Sequence, residues 1–232
     1  MKHKCHAINA RCFAAIFTFM LVLLAGCNEE SARESHESQR SIGSKEIEST
    51  AGHRTAPNKP KSKAELLAVA AMEQVGKTTR YDPSYVKLAY PGGDVPIECG
   101  VCTDVVVRAL RKCGVDLQVE IHKDMKAAFK SYPNLWGLKR PDSNIDHRRV
   151  PNIATFLRRK GKAVEKTKTG GDYLPGDIVV WRLSNGRPHI GIVSNVPVKG
   201  KDRYKVVHNI GAGTQLEDVL FTFEITGHFR YF

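Results

Sequence analysis

The sequence predicts an α+β domain in which helices come first and an antiparallel β-sheet closes the chain. Three observations carry that expectation. Apolar residues recur at helical spacing between Ser62 and Gly114. Short β-branched and aromatic runs separated by turn residues fill the last third. The two patterns are segregated along the chain, as in folds that pack helices against one antiparallel sheet.

The first element is an export signal. Lys2, Lys4 and Arg11 lead into an apolar run from Phe13 to Leu24, followed by Leu24-Ala25-Gly26-Cys27. The run is short for a membrane span, and small residues stand before a cysteine. The segment resembles a bacterial lipoprotein signal with its lipobox, which implies diacylglycerol on Cys27 and, with Asn28 following, an outer-membrane address. Residues 28–62 are rich in Ser, Glu, Lys and Arg and nearly free of large apolar side chains, which predicts a disordered tether spanning roughly 30 Å. The expected organisation is therefore a signal at 1–27, a tether at 28–62 and one domain at 63–232, long enough to bury a sizeable core. A net charge of +12 favours acidic partners. For an exported chain these are anionic cell wall or lipid head groups rather than nucleic acid.

Within the domain, Leu66, Leu67, Ala70, Ala71 and Val75 predict a helix capped by Ser62 and stopped near Gly76. "YDPSYVKLAYPGGDVP" reads as irregular. Val105, Val106, Ala109, Leu110 and Cys113 then form an apolar stripe opposite Arg108, Arg111 and Lys112, predicting an amphipathic helix that begins close to Cys102 and ends at Gly114. "SNIDHRRVPN" is a charged cluster before a helix "VPNIATFLRRKG". "GDIVVWRL", "HIGIVSNV", "YKVVHNI" and "ITGHFRYF" are the expected strands, with a hairpin at Asn185-Gly186 and a second across "PVKGKD". His228 and Arg230 read as strand surface.

Three residues suggest chemistry. A helix start presents unpaired amides and partial positive charge, so Cys102 is expected to favour thiolate and to sit beside oxyanion donors. Pairing His189 with His208 centres the second hairpin between Val198 and Lys199, which sets the two imidazoles opposite one another on one face, with Asn209 on the other. A lone histidine is usually structural, whereas two meeting at a sheet end suit a general base with its orienting partner. Asp104 in the first helical turn opposes thiolate formation and is expected to be structural. On these residues alone, Cys99-Gly100-Val101-Cys102 also suits a dithiol redox site, and with His189 and His208 a zinc site. Trp136 and Trp181 suit packing or substrate stacking.

"LPGDIVVWRLSNGRPHIGIVSN" resembles the Pro-Gly-Asp strand and His-φ-Gly-φ-φ strand of NlpC-type cell-wall cysteine peptidases, a papain-like superfamily. "GVCTDVVVRALR", "NIDHRRVPN", "HNIGAGTQLEDVLF" and "ITGHFRY" together resemble a bacterial domain-of-unknown-function family grouped with it. The resemblance covers nearly all of 63–232. It implies a papain-like domain with Cys102 as nucleophile, His189 as general acid/base and His208 or Asn209 as the third residue. It requires nothing of Cys99, no cofactor and no metal. The implied function is hydrolysis of peptidoglycan stem-peptide amides by a lipid-anchored enzyme in the periplasm. Independently of the resemblance, the charged run Asp146, His147, Arg148 and Arg149 suits substrate contacts, with the arginines gripping carboxylates, or a solvated turn before the next helix. The alternatives are a catalytically quiet envelope-binding module and a cysteine acyltransferase or hydrolase acting on a non-wall substrate. Faster alkylation of Cys102 than of Cys113 is expected of a catalytic thiol.

Overall fold

A computed structural model describes residues 62–232. The signal at 1–27, Cys27 and nearly all of the tether lie outside the described residues. Among the described residues no helix is long and apolar enough to cross a membrane.

The domain is α+β, with helices packed on a five-stranded antiparallel sheet. Helix α1 (Lys63–Met72) opens as expected, with the Ser62 hydroxyl accepting from the Glu65 amide at 3.1 Å. It ends at Met72, earlier than the periodicity implies, so Val75 lies exposed in the turns that lead to Gly76. A two-residue parallel pair joins β1 (Arg80–Tyr81) to β2 (Cys99–Gly100). Helix α2 (Cys102–Lys112) follows directly, and α3 (Leu117–Ala128), with no counterpart among the expected elements, starts from an Asp116 cap. Helix α4 (Val150–Arg159) matches the expected helix, with Pro151 in its first turn, where a missing N–H costs nothing.

The strands are β3 (Ile178–Arg182), β4 (Pro188–Pro197), β5 (Tyr204–Asn209), β6 (Thr214–Glu217) and β7 (Glu224–Phe229), ordered β6-β5-β4-β3-β7. Alternation along the strands divides the core. Ile178, Val180, Ile190, Ile192 and Val207 pack with the helices, while Val179, Trp181, Val193 and Val206 pack with Tyr173 and Leu220 on the other face.

Two expectations are corrected here. Gly191, not His189, pairs with His208, because the register shifts between Val193 and Pro197 and moves the turn to Gly200 (φ +73°). His228 and Arg230 are also not a strand surface. His228 is 3% exposed and binds buried Asp177 at 2.8 Å, and Arg230 grips both carboxylate oxygens of Asp177 at 2.8 and 2.7 Å. The aspartate of Pro-Gly-Asp thereby ties the start of β3 to the C-terminal strand, since leaving it unpaired in the interior would be costly.

Candidate active site

Cys102 is the first residue of α2, and its own neighbours hold the helix start in place. Asp104 accepts from the Val101 amide at 2.7 Å, half of a capping box, and receives a two-point grip from Arg148 Nε and Nη2 at 2.9 Å each. Arg148 also donates to the carbonyls of Ser84 and Asp82, while its own carbonyl accepts from the Thr103 hydroxyl at 3.1 Å. Asp104 is therefore structural, as expected. Arg108 is buried rather than on a polar helix face. It donates to Asp94, Thr78 and the carbonyls of Val95, Pro96 and Cys99, fixing the segment that feeds into Cys102.

The sulfur of Cys102 stands beside the main-chain amide of Ile190, with the amides of Thr103 and Cys102 itself close by. Thiol and imidazole thus flank one peptide unit, His189–Ile190. His189 Nε2 lies 2.9 Å from His208 Nδ1, and His208 Nε2 lies 2.9 Å from Glu217 Oε2. Gly191 makes room for this diagonal contact. A Cβ there would stand 2.8 Å from the Val207 carbonyl oxygen and 3.1 Å from His208 Cβ, which explains the glycine of "HIGI". Trp181 backs His189 at a ring separation of 5.8 Å and donates its indole N–H to Leu220, so it is a packing residue. Asn209, the alternative third residue, donates instead to the Gly100 carbonyl at 3.1 Å.

Glu217 escaped the sequence reading because it lies on β6, a short and half-polar strand. Its effect on the site is to set tautomers. A carboxylate only accepts, so His208 Nε2 carries a proton and Nδ1 a lone pair. His189 Nε2 must then donate to that lone pair, which leaves His189 Nδ1 as the basic nitrogen.

Burial dominates the electrostatics. Cys102 is 5% exposed, His189 2% and His208 1%. Burial pushes the Cys102 thiol up to about 12, the Ile190 amide opposes this, and the Asp104 charge adds to it. Burial and the neighbouring His208 hold His189 down at about 3. The expected resting thiolate is therefore corrected to a neutral thiol beside a neutral imidazole. Tyr81 lies near enough for the Cys102 charge to act on its hydroxyl, which burial first and that charge second raise to about 12.

The expected substrate contacts are not cleft groups. Asp146, His147 and Arg148 are 1%, 2% and 7% exposed, because their short 3₁₀ turn is packed under α2, α3 and α4 and Arg148 is consumed by Asp104. Burial lowers His147 to about 4. Cys102 and Cys113 are free thiols, so no disulfide joins Cys99 to Cys102, and Cys113 packs in the core as expected. Among the described residues no group of three or more His, Cys, Asp or Glu is placed to hold a metal ion.

A family model described as "Domain of unknown function (DUF1287)" matches residues 68–231. The Escherichia coli (strain K12) protein named "Uncharacterized protein YijF" is 56% identical over 166 residues, which cover 72% of this chain and 80% of that protein. Among solved structures, "Structure of NlpC1 from Trichomonas vaginalis" is similar at a TM-score of 0.41 and 14% identity. That match covers 75% of this chain and 46% of the other, so this chain spans about half the length of that structure.

Proposed function

The chain belongs to the DUF1287 family, and from that premise and the geometry around Cys102 we propose that it is a papain-like thiol hydrolase cleaving amide bonds of peptidoglycan stem peptides. The observation that carries the reading is the chain His189, His208 and Glu217, in which the carboxylate leaves His189 Nδ1 free to act as base, with the Cys102 sulfur beside the amide of the next residue, Ile190. In the reaction, His189 Nδ1 takes the thiol proton as sulfur attacks the carbonyl carbon. The oxyanion is held by main-chain amides at the start of α2. The imidazolium then protonates the departing amine. Water attacks the thioester with His189 again as base, releasing a carboxylic acid and the thiol. Because thiol and imidazole start neutral, ionisation accompanies attack rather than preceding it.

The lipobox and net charge of +12 support a lipid anchor at Cys27 and a place on the periplasmic face of the envelope, within reach of peptidoglycan. The near-complete burial of Cys102, His189 and His208 favours a second reading, a catalytically quiet peptidoglycan-binding module. Mass spectrometry of a peptidoglycan digest separates the two. New amine and carboxylate termini within stem peptides support the hydrolase, while sedimentation with the wall and no release of fragments supports the binder.

A further inference from the structure

We infer that Arg149, stacked on Trp136, reads a substrate carboxylate near the scissile bond and is a specificity-determining residue. The inference rests on the amide-hydrolase reading above. Of the arginines near the segments that meet at the start of α2, Arg108 and Arg148 are fully engaged. Arg108 and Arg148 each commit Nε and both terminal nitrogens to protein oxygens. Arg149 donates only Nη1, to Asp146 at 3.3 Å, so one edge of its fork carries no partner among the described residues. Its guanidinium carbon lies 3.9 Å from the ring centre of Trp136, an indole left 41% exposed. Stacking holds the plane of the fork while leaving its N–H edge open, an arrangement suited to two-point binding of a planar anion.

Arg149 is tied to the start of α2 through its chain neighbour Arg148. The Arg148 carbonyl that accepts from Thr103 is one peptide bond from Arg149, and Thr103 adjoins Cys102. Tyr81 lies within range of the Cys102 charge and Tyr85 within range of the Arg149 charge. The Thr103–Arg148 hydrogen bond of 3.1 Å keeps the Cα atoms of Cys102 and Arg149 within about 12 Å. The carboxylate would therefore sit within a few residues of the scissile amide. One fork with Asp146 and Asp142 nearby suits a singly charged carboxylate better than a dianionic phosphate, which the two aspartates would repel.

The test uses the full chain with Cys102→Ala and calorimetric titration of two peptidoglycan tripeptides, one with a free glutamyl α-carboxylate and one with an α-carboxamide. The inference expects about tenfold tighter binding of the carboxylate form, loss of that preference in Arg149→Gln, and a reduced preference in Trp136→Ala. An unmoved melting temperature in both variants excludes misfolding as the cause. A preference that survives Arg149→Gln, or no preference at the outset, overturns the inference and leaves the hydrolase reading standing. Failure of the protein to bind either peptide, together with no cleavage by the unmutated chain, removes both.

Discussion

His189 and His208 meet across a diagonal: their facing nitrogens are 2.9 Å apart although the residue directly opposite His208 is Gly191. The same offset recurs one strand further on, where Gln215 pairs with His208 and Glu217, two residues along, reaches its Nε2. Diagonal neighbours on one face of an antiparallel pair are within reach of long side chains, so the relay crosses three strands without disturbing their register.

Glu217 acts through His208, so replacing it should alter turnover and not binding. Glu217→Gln can present either an oxygen or an N–H to His208 and no longer fixes the tautomers. Steady-state kinetics should show kcat reduced by about ten- to hundredfold with KM unchanged, and partial recovery in Glu217→Asp. An unaltered kcat would remove Glu217 from the relay.

The buried thiol predicts slow chemistry with simple alkylating agents, in place of the fast labelling expected from a helix start alone. With the thiol held near 12, the iodoacetamide rate at Cys102, followed by peptide mass spectrometry, should still be rising at pH 9. A plateau below pH 8 would mean that a thiolate is present at rest.

The Asp104–Arg148 pair is 4% and 2% exposed at its side chains. Arg148→Met leaves an uncompensated carboxylate inside and should lower unfolding free energy by about 3–5 kcal/mol in urea titration. Adding Asp104→Leu should restore part of the loss, since it removes the stranded charge. Equal losses in the single and double variants would contradict this.

Acid should destabilise the domain before its carboxylates titrate. His147 and His189 are held at about 4 and about 3 in the folded state, below the unfolded value near 6.5. Below 6.5 the unfolded chain therefore binds protons that the native one refuses, and stability falls by up to about 1.4 kcal/mol per pH unit for each histidine. Unfolding free energies from urea titration at pH 7 and pH 5 should differ by about 2 kcal/mol for each. His147→Asn should show a shallower slope than the unmutated protein, because His189 and His208, also lowered by burial, still contribute.

Much of the fold was legible because burial imposes periodicity. The stripe from Val105 to Cys113 faces one core, and the runs around Val179, Ile192 and Val207 alternate between the two faces of the sheet. Helix α3 was overlooked because Leu117, Ile121 and Met125 are separated by charged residues and form only a narrow apolar row. Strands β1 and β2 are two residues each, too short for alternation to register. The site was legible in its residue types, Cys102, His189 and His208, but not in its electrostatics. Helix-end amides favour a thiolate, yet desolvation at 5% exposure outweighs them, and sequence spacing carries no information about desolvation. His228, Arg230, Asp146 and Arg148 were misplaced for a related reason. Charged residues are normally exposed, and Asp177 and Asp104, the partners of His228, Arg230 and Arg148, are distant in sequence, whereas Asp146 is buried with near neighbours, Arg149 and the Asp142 amide.

The most direct measurement is the rate of amide cleavage in purified peptidoglycan by the reduced full chain, set beside Cys102→Ala and His189→Ala and read by mass spectrometry of the released fragments. Fragments from the unmutated protein that vanish in both variants are the predicted result, and their masses identify the bond. Fragments released equally by Cys102→Ala would contradict the account, because the sulfur at the start of α2 would then take no part in the chemistry.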